Sequence, residues 1–468
     1  MATMACRNAS TRRLLSSTSC TIPRSPRAIS SLLVMRNFHS TPARETDGVF
    51  HGLTDTRHRL PWIEAFRQQQ EGKSISSSDG VSPEKRDLTP KKMSDSYHRV
   101  VLPLGRDPSL SDTYINSSGH IRLGTIFMDL DALSGIIVYK HTGPGLTTVT
   151  AALDRITIAH PLTEICDLEY SGQVTYASGR SSMEITCKVA RARDEGEPSR
   201  PEDVLLTCTF TMVALDPATK RPTNVPRLIC STPEEEAIFK AGETKAHAKR
   251  DASRTSLLET EPDDEESALI HKIWLRQLAY HDPGDASRQP ANVISMARTA
   301  LSSASIMQPQ YRNRHQTMIF GGFHLKQTFE LAFCAAASFA HARPTFISAD
   351  PCTFRNPVPV GSVLYLTATV VYTDPPLLDE DGAQKEAGDG GLTRLHVRVD
   401  SKVRDVEHGH AKPTGQFNYT FSVPRDVRVL PHTYQEFMMY VDARRRVRAG
   451  DAEDRRARTG RVEGGLTE

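Results

Sequence analysis

Gly321 and Gly322 stand at the head of the run IFGGFHLKQTFELAFCAAASFA, which carries a single acid, Glu330, among small apolar residues. The unpaired N–H groups and positive dipole end of a helix start attract negative charge. Glycines there let a ligand come close to the backbone, and they equally let the helix pack tightly on a sheet. Burying an unpaired carboxylate is costly, so Glu330 either reaches water at the helix edge or has a chemical task such as proton abstraction. An earlier segment, LGTIFMDLDALSG from Leu123, is also glycine-led and holds Asp129 and Asp131. Two residues apart on a helix, these acids cannot share a face.

These segments belong to an internal repeat. AALDRITIAHPLTEICDLEYSGQVTYAS from Ala151 lies over ISADPCTFRNPVPVGSVLYLTATVVYTD from Ile347 at a shift of 196 positions without a gap. Asp154 falls on Asp350, Thr157 on Thr353, Pro161 on Pro357, Val174 on Val370 and Tyr176 on Tyr372. Each copy reads as a glycine-led helix, a strand, a turn at the proline and a long strand of β-branched and aromatic residues. Two further strands follow in each, SMEITCKVAR and VLLTCTFTMVAL, then RLHVRVDSKV and GQFNYTFSV. One helix followed by four or five antiparallel strands packs as a sheet curled around that helix, an α+β unit. The wrapped helix must then be apolar nearly all round.

The 468 residues therefore divide into 1–44, 45–95 (poorly structured), 96–220 and 291–425 (the two copies), 221–290 (a helical charged linker) and 426–468 (an extension whose end is expected to be disordered). In the linker, Ser231 or Thr232 can cap a helix that begins at Pro233. A net charge of +2 from 58 basic and 56 acidic residues gives no field that argues for nucleic acid. Residues 1–44 hold seven arginines and no acid before Glu45, the composition of a mitochondrial transit peptide, with cleavage expected between about 37 and 45. No run of about 18 apolar residues suggests a membrane span, so a soluble matrix protein is expected. The eight cysteines form no C-x-x-C pair, which leaves metal and disulfide readings weak.

The ordered set IFGGFHLKQTFELAFCAAASFAHARP, FRNPVPVGSVLYL, GTIFMDLDALSG, YSGQVTYASGRSSMEI, STPEEEAIFKAGE and TYQEFMMYVDARRRV resembles the double-hotdog acyl-CoA thioesterases of the mitochondrial thioesterase 9 type. The resemblance covers about residues 100–445 and implies a tandem hotdog that hydrolyses acyl-CoA to fatty acid and CoA without metal or covalent cofactor. It places a base two to three turns into the central helix, matched by Asp131 and, there or one residue beyond, by Glu330; Asp131 is preferred over Asp129. It assigns oxyanion donors to Gly321 and Gly322. An asparagine often precedes the glycine pair in related enzymes; here Thr317 and Gln316 are nearest, with Asn313 further off, and Asn116 and His120 occupy the first copy. Arg180 and Arg343 are candidates for the CoA phosphates, and Phe323, Phe329 and Phe333 for lining the acyl tail. Acyl-CoA is the implied partner, in a homo-oligomer of such protomers. A hotdog that binds acyl-CoA without turnover, or serves in assembly, is the alternative. A hydratase would need a D-x-N-x-x-H segment, which is absent.

Overall fold

The computed structural model describes residues 87–464 except 144, 160–164, 194–196, 218, 253–259, 283, 285–287, 314–317 and 379–390, with the side chains of 247–252 and 453–464 also excepted. The expected transit peptide lies outside the described residues, as do Thr317 and Gln316. In chain order the first half holds β1 (His98–Leu102), α1 (Pro108–Tyr114), α2 (Leu123–Thr142), β2 (Thr147–Leu153), β3 (Ile156–Ile158), β4 (Leu168–Ala177), β5 (Ser182–Arg191) and β6 (Val204–Leu215). Helices α3 (Pro233–Ala252) and α4 (Asp264–His281) follow. The second half holds β7 (Leu301–Ile306), α5 (Gly321–Ala340), β8 (Thr345–Ala349), β9 (Cys352–Thr353), β10 (Val363–Asp374), β11 (Thr393–Arg404), β12 (Ala411–Val423) and α6 (Tyr434–Gly464).

One 12-stranded sheet runs through both halves in the order β7-β10-β11-β12-β8-β3-β6-β5-β4-β1, with β2 paired to β6 and β9 to β2. At the seam the strands are antiparallel, Thr157 facing Ser348 and Ile156 facing Ala349, while Leu153 faces Cys352 in the flanking pair. Under the repeat shift of 196, the partner of Leu153 is the counterpart of Ile156, so the joint is self-complementary, as at a two-fold interface. Each half leaves the same strand edge unpaired, and pairing the two edges satisfies both. This is the tandem hotdog that the resemblance implies.

Each half wraps its sheet around its own helix. Leu130, Leu133, Ile137 and Val138 of α2 and Ala332 and Ala336 of α5 are fully buried. The two helices cross antiparallel beneath the seam, where Phe127 meets Phe329 edge-on at 5.2 Å and both touch Phe346. Burial of each such ring contributes roughly 1.5–3 kcal/mol, so the two halves share one core at this point. Phe329 and Phe333, considered as tail-lining residues, belong to this core with Phe421.

The repeat extends further than its sequence suggests. Helix α3, read as linker, lies on the first half's sheet with Phe239 4.9 Å from Tyr176, and α6 lies on the second with Tyr440 4.9 Å from Tyr372. Tyr176 and Tyr372 are counterparts, and each helix opens with the same reciprocal cap. Thr232 Oγ1 accepts from Glu235 N while Glu235 Oε2 accepts from Ser231 N; Thr433 Oγ1 accepts from Glu436 N while Glu436 Oε2 accepts from Thr433 N. The expected disordered end is helical to Gly464. Its arginines have partners: Arg444 and Arg448 bond Glu265, Arg445 bonds Glu266 and Arg446 pairs with Asp350.

The strand β1 begins opposite Gly172 and β7 begins opposite Ala368. One step beyond, Val174 N–H donates to Ser96 Oγ and Val370 N–H to Thr299 Oγ1, both at 3.0 Å and both buried. Leaving a buried N–H without a partner costs about 1–3 kcal/mol. Ser96→Ala and Thr299→Val should each destabilise by that order in urea unfolding, while Ser96→Thr stays close to the parent.

Candidate functional site

The glycine pair meets the other half's acid. Helix α5 crosses α2 so closely that a Cβ on Gly322 would lie 2.7 Å from Met128 O and 2.9 Å from Asp131 Cβ. With no side chain in the way, Gly322 N–H donates to Asp131 Oδ2 at 2.6 Å, and Thr150 Oγ1 on β2 donates to Asp131 Oδ1 at 2.7 Å. The carboxylate is buried, 4 % exposed, and sits against the positive end of a 20-residue helix with no acid in its first turn.

Asp131 opens onto a cavity of about 460 Å³ between the halves. One wall is the face of α2 formed by Asp131, Ala132, Gly135, Ile136 and Tyr139; β2 and the end of β6, with Met212 and Leu215, continue it. The facing wall comes from the second half: Asn313 and Met318–Gly321 ahead of α5, His324 one turn inside it, and the segment Phe354–Val358. Asn313 Oδ1 is buried and has no hydrogen-bond partner among the described residues. Arg355, exposed at this wall, brings a cation. Glycine in a helix interior costs about 1 kcal/mol relative to alanine, yet a Cβ on Gly135 would meet nothing within 4 Å.

The pseudo-equivalent crossing is built differently. Asp131 lies seven residues after Gly124, whereas Glu330 lies eight after Gly322, a step that turns a side chain about 100° around the helix. Glu330 is accordingly at the helix edge, where Arg122 holds it through Nε at 2.9 Å and Nη2 at 2.5 Å. Its side chain is one-third exposed, so its charge is solvated and paired. Asn116 is occupied within its own loop, its Oδ1 accepting from Ser118 N at 2.9 Å and His120 N at 3.2 Å. Asp129 points the other way, into the first core, and accepts from Tyr114 Oη at 2.5 Å. Burial, and then Asp129, push the Tyr114 phenol far above its usual range.

Of the residues singled out in the sequence, Asp131, Gly321 and Gly322 come together. Glu330 does not join them. Gly322 N–H, expected to face a substrate oxygen, holds Asp131 instead. Arg180 is exposed in the turn after β4 and lines no part of the cavity. Arg343 lies past the far end of α5, its guanidinium 6.0 Å from the Phe333 ring centre; 20 residues of helix put it about 30 Å from the glycine pair. Phe323 is buried and stacked on Tyr311 at 3.8 Å, outside the cavity wall. Thr150, Arg355 and His324 were not singled out. Thr150 is one of many strand threonines, and only the packing of β2 beside α2 brings it to Asp131.

His324 forms part of the cavity wall from within the second core. Its Nε2 is 2.7 Å from Ser401 Oγ, which is 2.6 Å from Thr414 Oγ1, and Phe417 lies edge-on at 4.9 Å. Burial lowers its pKa to about 4, so the imidazole is neutral at physiological pH.

No family model matches the chain. It is similar to acyl-coenzyme A thioesterase 9, mitochondrial, of Mus musculus, 34% identical over 82% of this chain and 84% of the relative. The Homo sapiens protein of the same name is 33% identical over 85% and 88%. Among solved structures, an acyl-CoA hydrolase from Staphylococcus aureus is similar at 24% identity and a TM-score of 0.30, covering 38% of this chain and 99% of that one.

A histidine whose pKa is about 4 when folded and about 6.5 when unfolded takes up its proton first in the unfolded chain, so stability should fall as pH drops from about 6.5 towards 4. Urea unfolding across that window should show a shallower fall for His324→Leu; an unchanged slope would mean that His324 is solvated. The buried His396, lowered to about 3 by burial and nearby arginines, adds to the slope in both proteins.

Proposed function

Because the chain belongs to the acyl-coenzyme A thioesterase family, of the mitochondrial thioesterase 9 type, we propose that it hydrolyses acyl-CoA at the crossing of α2 and α5. The observation that carries this reading is a buried carboxylate, Asp131, fixed by Gly322 N–H and Thr150 Oγ1 at the wall of a largely apolar cavity. Asp131 serves as general base. A water bonded to the carboxylate gives up a proton to it as the water oxygen attacks the thioester carbonyl. The C–S bond then breaks, the proton passes from Asp131 to the leaving thiolate, and fatty acid and CoA thiol result.

The two bonds to Asp131 fix its orientation in advance of reaction. The orphan Oδ1 of Asn313 supports a role for that amide in holding the water, the place for which Thr317 and Gln316 were expected. Gly321 N–H, at the start of α5, is the donor suited to the developing oxyanion, and loss of such a donor typically costs about 2.7–4 kcal/mol in barrier. Arg355 is the cation suited to a CoA phosphate. The pair Arg122–Glu330 closes the second crossing, so one site per chain turns over. The arginine-rich start and the names of the relatives make the chain mitochondrial; residence in the matrix belongs to this proposal. So does association of such protomers, for which the exposed Trp274, Leu275 and Leu278 of α4 offer an apolar face.

Release of CoA from an acyl-CoA series, followed with a thiol-reactive dye, tests the reading on the purified full-length protein. Asp131→Asn should lower turnover at least about 10²-fold with CoA binding kept, and Glu330→Gln should leave it within a few-fold. No release by the parent, with acyl-CoA still bound, would make the chain a binder rather than a hydrolase.

A further inference from the structure

Gly135 is placed to decide which acyl chains the cavity admits. Asp131, Ala132, Gly135, Ile136 and Tyr139 form one stripe along α2 and line the cavity together. At 1.5 Å rise per residue, Gly135 stands about 6 Å beyond the carboxylate and Tyr139 about 12 Å. Met212 and Leu215 of β6 continue this wall, and the stripe beyond Asp131 bears no charge. The amide and cationic groups, Asn313, Asn356 and Arg355, come from the opposite wall in the second half. A hydrocarbon tail is accommodated by the first surface and the polar, phosphate-bearing CoA arm by the second.

The glycine itself is the second observation. Inside described helices, Gly124, Gly242, Gly321, Gly322 and Gly450 each stand where an added Cβ would meet a neighbouring atom at 3.3 Å or less, so packing accounts for them. Gly135 differs: its absent Cβ would meet nothing within 4 Å. Neither close packing nor helix propensity explains a glycine there, whereas an open wall does. We infer that Gly135 is a specificity-determining residue, holding open the part of the cavity that takes acyl carbons beyond the first few; the inference rests on the thioesterase reading above.

The test is kcat/KM for acetyl-CoA through palmitoyl-CoA on the full-length parent, Gly135→Ala and Gly135→Leu. Gly135→Leu should keep the shortest substrate within about threefold and lose at least about tenfold on the longest that the parent accepts, the scale that a few methylenes command in an apolar pocket. Gly135→Ala should show a smaller loss in the same direction together with a raised thermal midpoint, which keeps the test decisive if the leucine variant folds poorly. Equal change at every chain length, or none, in both variants would overturn the inference and leave the thioesterase reading standing. No CoA release by the parent from any substrate would remove that reading and this inference with it.

Discussion

The contact on which the rest of the structure depends is the one between Gly322 N–H and the Asp131 carboxylate. It requires two helices from different halves of the chain to approach until a backbone carbonyl of one lies where a Cβ of the other would be. That approach is what the remainder of the fold arranges. Two curled sheets wrap the two helices, a self-complementary seam joins the sheets, and the aromatic cluster of Phe127, Phe329 and Phe346 fixes the crossing. A burial that would be costly for a lone carboxylate is offset by two short hydrogen bonds and the end of a helix dipole.

Duplication gives two such crossings, and one residue of helical register separates their fates. Asp131 faces the opposing helix start; Glu330 has turned outward to Arg122. The glycine pair and the acid that follows it in sequence therefore do not form one site. The pair serves Asp131, some 190 residues earlier, and the acid supplies a cross-half ion pair. Being partly exposed, that pair contributes little to stability.

The repeat and the α+β class were legible because they rest on local pattern: apolar helices led by glycine, strands of β-branched residues, and Asp154 and Asp350 in matched surroundings. Asp131 was singled out through the resemblance, which places a base two to three turns into the central helix. Thr150 and Arg355 were not, because only the packing of β2 beside α2 brings one strand threonine among many to Asp131, and only the joining of the halves brings a loop arginine to the cavity; Asn313, noted as further off, is the asparagine that reaches the cavity wall. Arg180 and Arg343 were misplaced for the same reason; a helix end near in sequence is the wrong end in space. That the linker helix and the C-terminal helix are counterparts was missed because STPEEEAIF and HTYQEFMMY share only a cap and one aromatic, too little to stand out from charged linker composition.

The central claim is that each chain has one productive site, made by both halves. Calorimetric titration of the full-length protein with a non-hydrolysable thioether analogue of acyl-CoA measures this directly. The account predicts one analogue bound per chain. Two equivalent sites per chain would contradict it, since the crossing at Glu330 would then be open in the way that the crossing at Asp131 is.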